Sequence, residues 1–256
     1  AQGKANADAA EKFISWAQYL HGTAEWRGSI NISKKLMDMV LESNLQGLTS
    51  QLPAPLDKAA SASVPLRFET RIPAARPERI LLNYGNVMSM HLVRRKDGER
   101  SFIERGVVVF GADAGRPDKS GVWLSGLVKN FDFDQWRALL SEFDSTGHID
   151  LAGIDLKFDT LDAFDRRFHD LHVNARAQGG SWQTVLDGSE IDGELIWQPQ
   201  NKGKLIARLS NLTIPEALPE KSGQRTQKSQ QKDFPALDVS ADNFVLGDKA
   251  LGKLEI

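Results

Sequence analysis

The chain of 256 residues contains no cysteine, which excludes disulfide staples and thiolate catalysis alike. It also lacks an excess of either charge: 32 Lys and Arg stand against 34 Asp and Glu, a net charge of −2. That balance offers no electrostatic footprint for nucleic acid. No apolar run is long enough to cross a bilayer as a helix. Glycine-rich phosphate loops are missing too. No carboxylate pair sits in a glycosidase-like or protease-like motif, and with 26% charged residues neighbouring carboxylates arise by chance. No initiator Met and no signal peptide are present, and the last residues, Leu251 to Ile256, are still alternating. The expectation is an internal piece of a longer protein, so missing targeting signals say little about location.

What is present is organised around residues 121–140, where the apolar period changes. Val122, Leu124 and Val128 recur every second residue, with Gly126 in register, as on a strand. Beyond Asp132 the spacing becomes Trp136, Leu139, Leu140 and Phe143, one face of a helix. Asp132 with Gln135 reads as a capping box, and Asp134 is the rival N-cap. Strand patterns lie on both sides, so the helix is expected to plug or cap a long sheet.

Residues 1–10 are small and polar and are expected to be disordered. Residues 11–20 read as a helix, with Phe13, Trp16, Ala17 and Leu20 on one face. Residues 23–33 alternate most cleanly: Ala24, Trp26, Gly28, Ile30 and Ile32 point one way and the polar residues the other, giving a dry and a wet face. A strand is expected over 36–48, then an extended connector at Leu52-Pro53-Ala54-Pro55-Leu56, where proline cannot join a ladder. Further strands are expected at 64–72, 79–84, 87–93, 100–103 and 107–110, with turns at Gly85-Asn86 and Asp97-Gly98 and a polar loop over 111–120. Beyond Gly147, Ile154, Leu156 and Phe158 alternate with charged residues, and Leu171 and Val173 with polar ones. Gly179-Gly180, Asp187-Gly188, 201–203 and Gly247-Asp248 read as the later turns. Residues 216–233 lack periodicity and are expected to be a flexible loop. In all, about fourteen strands are expected, the turn spacing of an all-β architecture.

Few residue clusters invite chemistry. His169 and His172 flank Asp170, but positions three apart on a strand point to opposite faces, so a shared metal is not expected. Asp113 and Asp118 lie in a loop without EF-hand spacing and read as a polar turn. Lys221, Arg225, Lys228 and Lys232 belong to the aperiodic segment and read as solubilising. Of the six tryptophans, Trp16 and Trp136 lie on helical faces, where core packing is the simple account. Trp26, Trp123, Trp182 and Trp197 lie on strands. A sheet of one-sided strands must close on itself, stack on a second sheet or curl round a ligand, and periodicity does not choose among these.

A family resemblance does choose. Gly22-Thr23-Ala24-Glu25-Trp26-Arg27-Gly28, Leu52-Pro53-Ala54-Pro55-Leu56-Asp57-Lys58, the 121–140 unit and Gly179-Gly180-Ser181-Trp182 resemble motifs of the YhdP branch of the AsmA-like proteins. Gly193-Glu194-Leu195-Ile196-Trp197 and Phe234-Pro235-Ala236-Leu237-Asp238-Val239 do so as well, and the set appears in order from about residue 11 onward. The resemblance implies a Gram-negative envelope protein, anchored in the inner membrane by a helix outside this stretch, with a long periplasmic β structure like that of bridge-like lipid transfer proteins. The implied fold is mainly β: a long curved antiparallel sheet forming an apolar groove over 11–256 as one domain, with one or two short amphipathic helices. The implied function is phospholipid transport between inner and outer membranes, without catalysis, cofactor or metal. Its partners would be phospholipid acyl chains, both membranes, and the rest of the same chain at each end, with no nucleic acid. Trp26, Ile30, Ile32, Val122, Leu124, Ile154, Leu156, Phe158, Leu171, Val173, Leu195 and Trp197 are the residues expected to face lipid. The alternative is a structural or protein-binding β module of the envelope, whose own side chains fill the dry face.

Overall fold

Turn chemistry sets where the strands end. Two-residue hairpin loops need a positive φ, which glycine adopts without steric cost. Gly85, Gly98, Gly179, Gly180 and Gly247 all adopt it at expected turns. A turn that the sequence hides lies at Phe164 and Asp165, both at positive φ without any glycine (54° and 58°). Asp134 supports it: its carboxylate accepts the Asp165 backbone N–H at 3.0 Å, while the Phe164 ring lies 5.7 Å from that of Phe133.

The structure is a computed structural model describing residues 1–7, 15–74, 76–98, 100–142, 150–218 and 235–256. It is mainly β and divides into two compact units, each described by itself. The first comprises Ala1–Phe131 and Gln135–Ala152, the second Asp132–Asp134 and Gly153–Ile256.

In the first unit the strands are β1 (Gln2–Asn6), β2 (Leu20–Ser33), β3 (Leu36–Ser43), β4 (Leu48–Ser50), β5 (Leu66–Pro73), β6 (Glu78–Tyr84), β7 (Met88–Asp97), β8 (Arg100–Phe110) and β9 (Gly121–Asp132). They pair in the order β1-β2-β3-β5-β6-β7-β8-β9, with β4 on the start of β2. Several boundaries differ from expectation. Residues 2–6 are not disordered, since they pair with β2 from Gln2↔Arg27 to Asn6↔Thr23. The helix expected over 11–20 is a 3-10 helix at Ser15–Tyr19, and Leu20 already belongs to β2; residues 11–14 lie outside the described residues. The strand expected over 36–48 stops at Ser43, because Leu45 turns at φ 52° and sends the chain back along β2 as β4. The two strands expected at 100–103 and 107–110 are one strand with a register shift opposite Val93/Arg94.

Helix α1 (Phe133–Glu142) follows β9 and starts where Asp132 takes the N-cap position. It docks on the proline connector: the Trp136 indole N–H donates to the Ala54 carbonyl at 2.7 Å, and Phe131 stacks on Trp136 at 6.2 Å. Tyr19 donates to Glu142 at 2.6 Å. Of the expected helical face, Leu139 is buried but Leu140 is exposed, and Phe143 lies outside the described residues.

The second unit contains β10 (Leu151–Ala163), β11 (Arg166–Gln178), β12 (Ser181–Asp187), β13 (Ile191–Gln198), β14 (Lys204–Ile214), β15 (Ala236–Leu246) and β16 (Lys249–Glu255), paired in chain order. Its packing centre is Ala207, Leu209 and Ala241, with Ile191, Leu212, Val239, Phe244 and Leu254 around them. Of the flexible loop expected at 216–233, Ala217 bridges to Arg166 and the Leu218 N–H bonds to the Asp165 carbonyl; the rest lies outside the described residues from 219 on.

The pairing is not wholly antiparallel. β8–β9 and β14–β15 are parallel. Parallel neighbours need a crossover in place of a tight turn, and both pairs follow the long polar stretches of the sequence. In the first pair Gly126 is obligatory: at φ 110° a Cβ there would stand 2.1 Å from the Phe110 carbonyl oxygen. Gly126→Ala is expected to cost about 3 kcal/mol or more, through strain and a displaced strand. Gly98→Ala, at a positive φ with open space around it, should cost about 1 kcal/mol. Urea unfolding of the two variants checks this, and equal losses would refute the steric account.

Candidate functional site

Register decides which side chains share a face. In the first unit Trp26 pairs with Ser43, Gly28 with Leu41, Ile30 with Met39 and Ile32 with Met37. The same face continues through Leu66, Phe68 and Ile72 of β5 and through Tyr84, Leu82 and Ile80 of β6. It reaches Met88, Met90 and Leu92 of β7, then Phe110 and Val108 of β8. Val122 and Leu124 of β9 complete it. From β2 to β9 one side of the sheet is thus an almost unbroken apolar surface.

This surface is not a closed core. Most of its side chains are only half-buried, and the largest side chain that is fully buried among the described residues is Val128. Glycines on this face admit larger neighbours. The Trp26 indole lies against Gly3 and Gly28, and Leu92 covers Gly106, where a Cβ would come within 2.4 Å of its methyl.

The opposite face carries the charges. Arg27 donates to Glu42 at 2.7 Å, Arg67 bonds to the same carboxylate and to Glu69, and Arg71 bonds to Asp38 at 2.9 Å. The two arginines hold the Glu42 carboxyl below its ordinary pKa. These are surface pairs, worth little individually, but they mark the face that meets water. A cavity of about 1030 Å³ opens at the β1–β3 side, lined by Trp26, Ser43 and Leu66 of the apolar face and by Arg27, Glu42 and Arg67 of the charged one.

Each expected lipid-facing residue can now be placed. Trp26, Ile30 and Ile32 on β2 and Val122 and Leu124 on β9 share the apolar face of the first unit, but at its two sides. Ile30 and Ile32 lie toward the β2–β3 turn and are 60% and 76% exposed. In the second unit Leu156 pairs with Val173, Phe158 with Leu171, and Ile154 with Ala175. Leu195 and Trp197 reach the same face through Thr184 and Trp182, and Leu186 lies between Val173 and Gly193. Leu156, Phe158 and Leu171 are buried, whereas Ile154, Val173, Leu195 and Trp197 are half-buried.

The central strands of the first unit were missed as site residues. Met37, Met39 and Leu41 do alternate with Asp38, Val40 and Glu42, and that signal was legible. Ile80-Leu81-Leu82 and Val107-Val108-Val109-Phe110 run apolar on both faces, so only pairing assigns them. Trp123 stands on the face opposite Val122 and Leu124, its N–H on the Ser120 carbonyl and Lys119 4.6 Å from the ring centre. Trp16 is exposed and Ala17 is the buried residue there. His169 and His172 each take a separate carboxylate, Glu190 at 3.1 Å and Asp155 at 2.6 Å. Asp113 and Asp118 are exposed loop residues, and Lys221, Arg225, Lys228 and Lys232 lie outside the described residues.

One polar cluster interrupts the apolar face near the β5–β6 turn. Glu78, 9% exposed, accepts from Thr70 at 2.8 Å and from Arg94 at 2.7 Å. Removing one partner of such a pair strands the other, whereas an apolar replacement of both is close to neutral. Arg94→Leu is expected to destabilise by about 3 kcal/mol, and the double variant with Glu78→Leu to recover most of it. Thermal melting measures both; a double variant no more stable than the single one would refute the pairing.

Comparison with family models gives a match over residues 1–256 to the family described as YhdP protein. Comparison with curated proteins and with solved structures gives no match. The matched span is the whole chain, and the chain therefore belongs to the YhdP family and is an AsmA-like envelope protein.

Proposed function

We propose that this chain is a periplasmic segment of a lipid conduit, in which the apolar face carries phospholipid acyl chains between the inner and outer membranes. The observation that carries the reading is the apolar surface running through register from Trp26 to Leu124 without closing into a core. Curling of the sheet about that face would turn it into a groove. Each methylene transferred from water gains about 0.8 kcal/mol, so an acyl chain of about sixteen carbons meets a barrier of about 12 kcal/mol in water. A diffuse wall of Leu, Ile, Met, Phe and Trp side chains lowers that barrier everywhere and traps lipid nowhere. Headgroups stay in water along the rim. No catalytic step is required, and the protein acts as a path rather than as an enzyme. In the full-length protein the segment is held at the inner membrane, and neighbouring segments pair with its two edge strands, β1 and β16.

A second reading rests on the second unit. There Leu156, Phe158 and Leu171 are buried, which favours a structural or protein-binding β module for that part of the chain.

Leu81 and Leu82 are neighbours in sequence on opposite faces of β6. A photoreactive residue at Leu82 is expected to crosslink phospholipid in cells, and one at Leu81 is not. Equal labelling, or none at Leu82, would overturn the conduit; labelling at Leu82 but none at Trp197 would support the module reading for the second unit. Charge substitutions separate wall from core. Ile30→Asp, at an exposed site, should change stability by about 0.5 kcal/mol or less while reducing lipid crosslinking. Leu156→Asp, at a site 6% exposed, should cost about 4 kcal/mol or more in a melting experiment.

A further inference from the structure

On the charged face of the first unit, register departs from compensated pairing at one place. Glu42 sits between Arg27 and Arg67, one acid shared by two bases. Nearer the β2–β3 turn, Arg71 lies directly opposite Arg79, Arg79 opposite Val93, and Val93 opposite Arg105. Like charges directly opposite each other destabilise a sheet. Asp38 compensates Arg71, and Glu104 lies 3.7 Å from Arg105. Turns and the β8–β9 crossover then add Lys35, Arg76 and Arg116 to the same place. Among the described residues, Lys35, Arg76, Arg79 and Arg116 have no carboxylate partner.

These side chains surround a cavity of about 570 Å³ whose lining contains no Asp or Glu. His91 also lines it and is buried. Burial first, and then the charges of Arg79 and Arg116, hold the imidazole below its ordinary pKa, against a hydrogen bond with the Gly115 backbone that raises it. The cavity is therefore lined by six cationic side chains among apolar ones, with a histidine held below its ordinary pKa at its wall.

We propose that this cavity binds a phosphate-bearing ligand with at least two negative charges. Guanidinium forks match phosphate oxygens in pairs. One negative charge would leave most of the surplus of Lys35, Arg76, Arg79 and Arg116 uncompensated. The site faces away from the apolar surface, so it is separate from the conduit and does not depend on it. A soluble phosphate compound and an anionic phospholipid headgroup share the required chemistry.

Two probes distinguish these sources. Inorganic pyrophosphate is titrated into the chain while the His91 imidazole is followed by NMR. Saturable binding is expected, with the His91 pKa moving upward as the anion offsets Arg79 and Arg116. Arg79→Gln and Arg116→Gln should each weaken binding by about tenfold or more, and Arg27→Gln, in the compensated row, should leave it unchanged. Phosphatidylcholine vesicles with and without phosphatidic acid form the second arm. Co-sedimentation only with phosphatidic acid, lost in Arg79→Gln, assigns the site to a headgroup; pyrophosphate binding without co-sedimentation assigns it to a soluble ligand. The proposal is overturned if neither probe binds, if sulfate competes as well as pyrophosphate, or if Arg79→Gln binds as wild type does.

Discussion

Backbone ladder hydrogen bonding is the constraint on which the rest of this structure depends. A protein that buries large side chains in a closed core can tolerate imperfect pairing, because the core holds the elements in place. Here Val128 is the largest fully buried side chain among the described residues, and successive strands are joined along their lengths by ladder hydrogen bonds. That is why two glycines matter, one in the parallel β8–β9 pair and one at the register shift of the antiparallel β13–β14 pair. At Gly126 and Gly193 the backbone approaches a neighbouring strand so closely that a Cβ would stand 2.1 Å and 2.4 Å from a carbonyl oxygen. A side chain at either position would push the paired strands apart.

The ladder also sorts chemistry. Once Trp26 is opposite Ser43 and Ile30 opposite Met39, the period-two geometry commits every later pair, and the apolar residues of successive strands fall on one side. Charges then have only the other side to occupy, and they pair there as Arg27–Glu42–Arg67 and Asp38–Arg71. The exceptions on each face are informative. Glu78 with Thr70 and Arg94 is a satisfied polar island on the dry side. The arginines around His91 are an unsatisfied positive island on the wet side. A satisfied island belongs to folding, whereas an unsatisfied one asks for a ligand.

In this member of the YhdP family the apolar face is spread over the strands of the first unit. Among the described residues the perturbed titratable groups are scattered and include Glu42 between two arginines, Lys58 and His91 by burial, and Glu190 beside His169. The continuous feature is the apolar face.

The sequence by itself determined the class of structure. Clean alternation in 23–33, 154–158 and 171–175 settled strand identity and which residues share a side of each strand, because a strand's side-chain period is two wherever the strand lies. The change of period after Asp132 located the helix, and glycine turns marked most hairpins. Other features were invisible to periodicity. Phe164-Asp165 turns without a glycine because Asp134, far away in sequence, holds it. Leu48 to Ser50 folds back on β2 because of Leu45, and residues 2–6 become a strand because β2 offers an unpaired edge. Ile80-Leu81-Leu82 is apolar on both sides and takes its faces only from its neighbours. The basic cavity depends on the same thing: inter-strand register brings Arg71, Arg79 and Arg105 together, and a turn and the β8–β9 crossover add Lys35 and Arg116. Local pattern fixes what a strand is, and pairing across the sheet decides which strands, and therefore which charges, become neighbours.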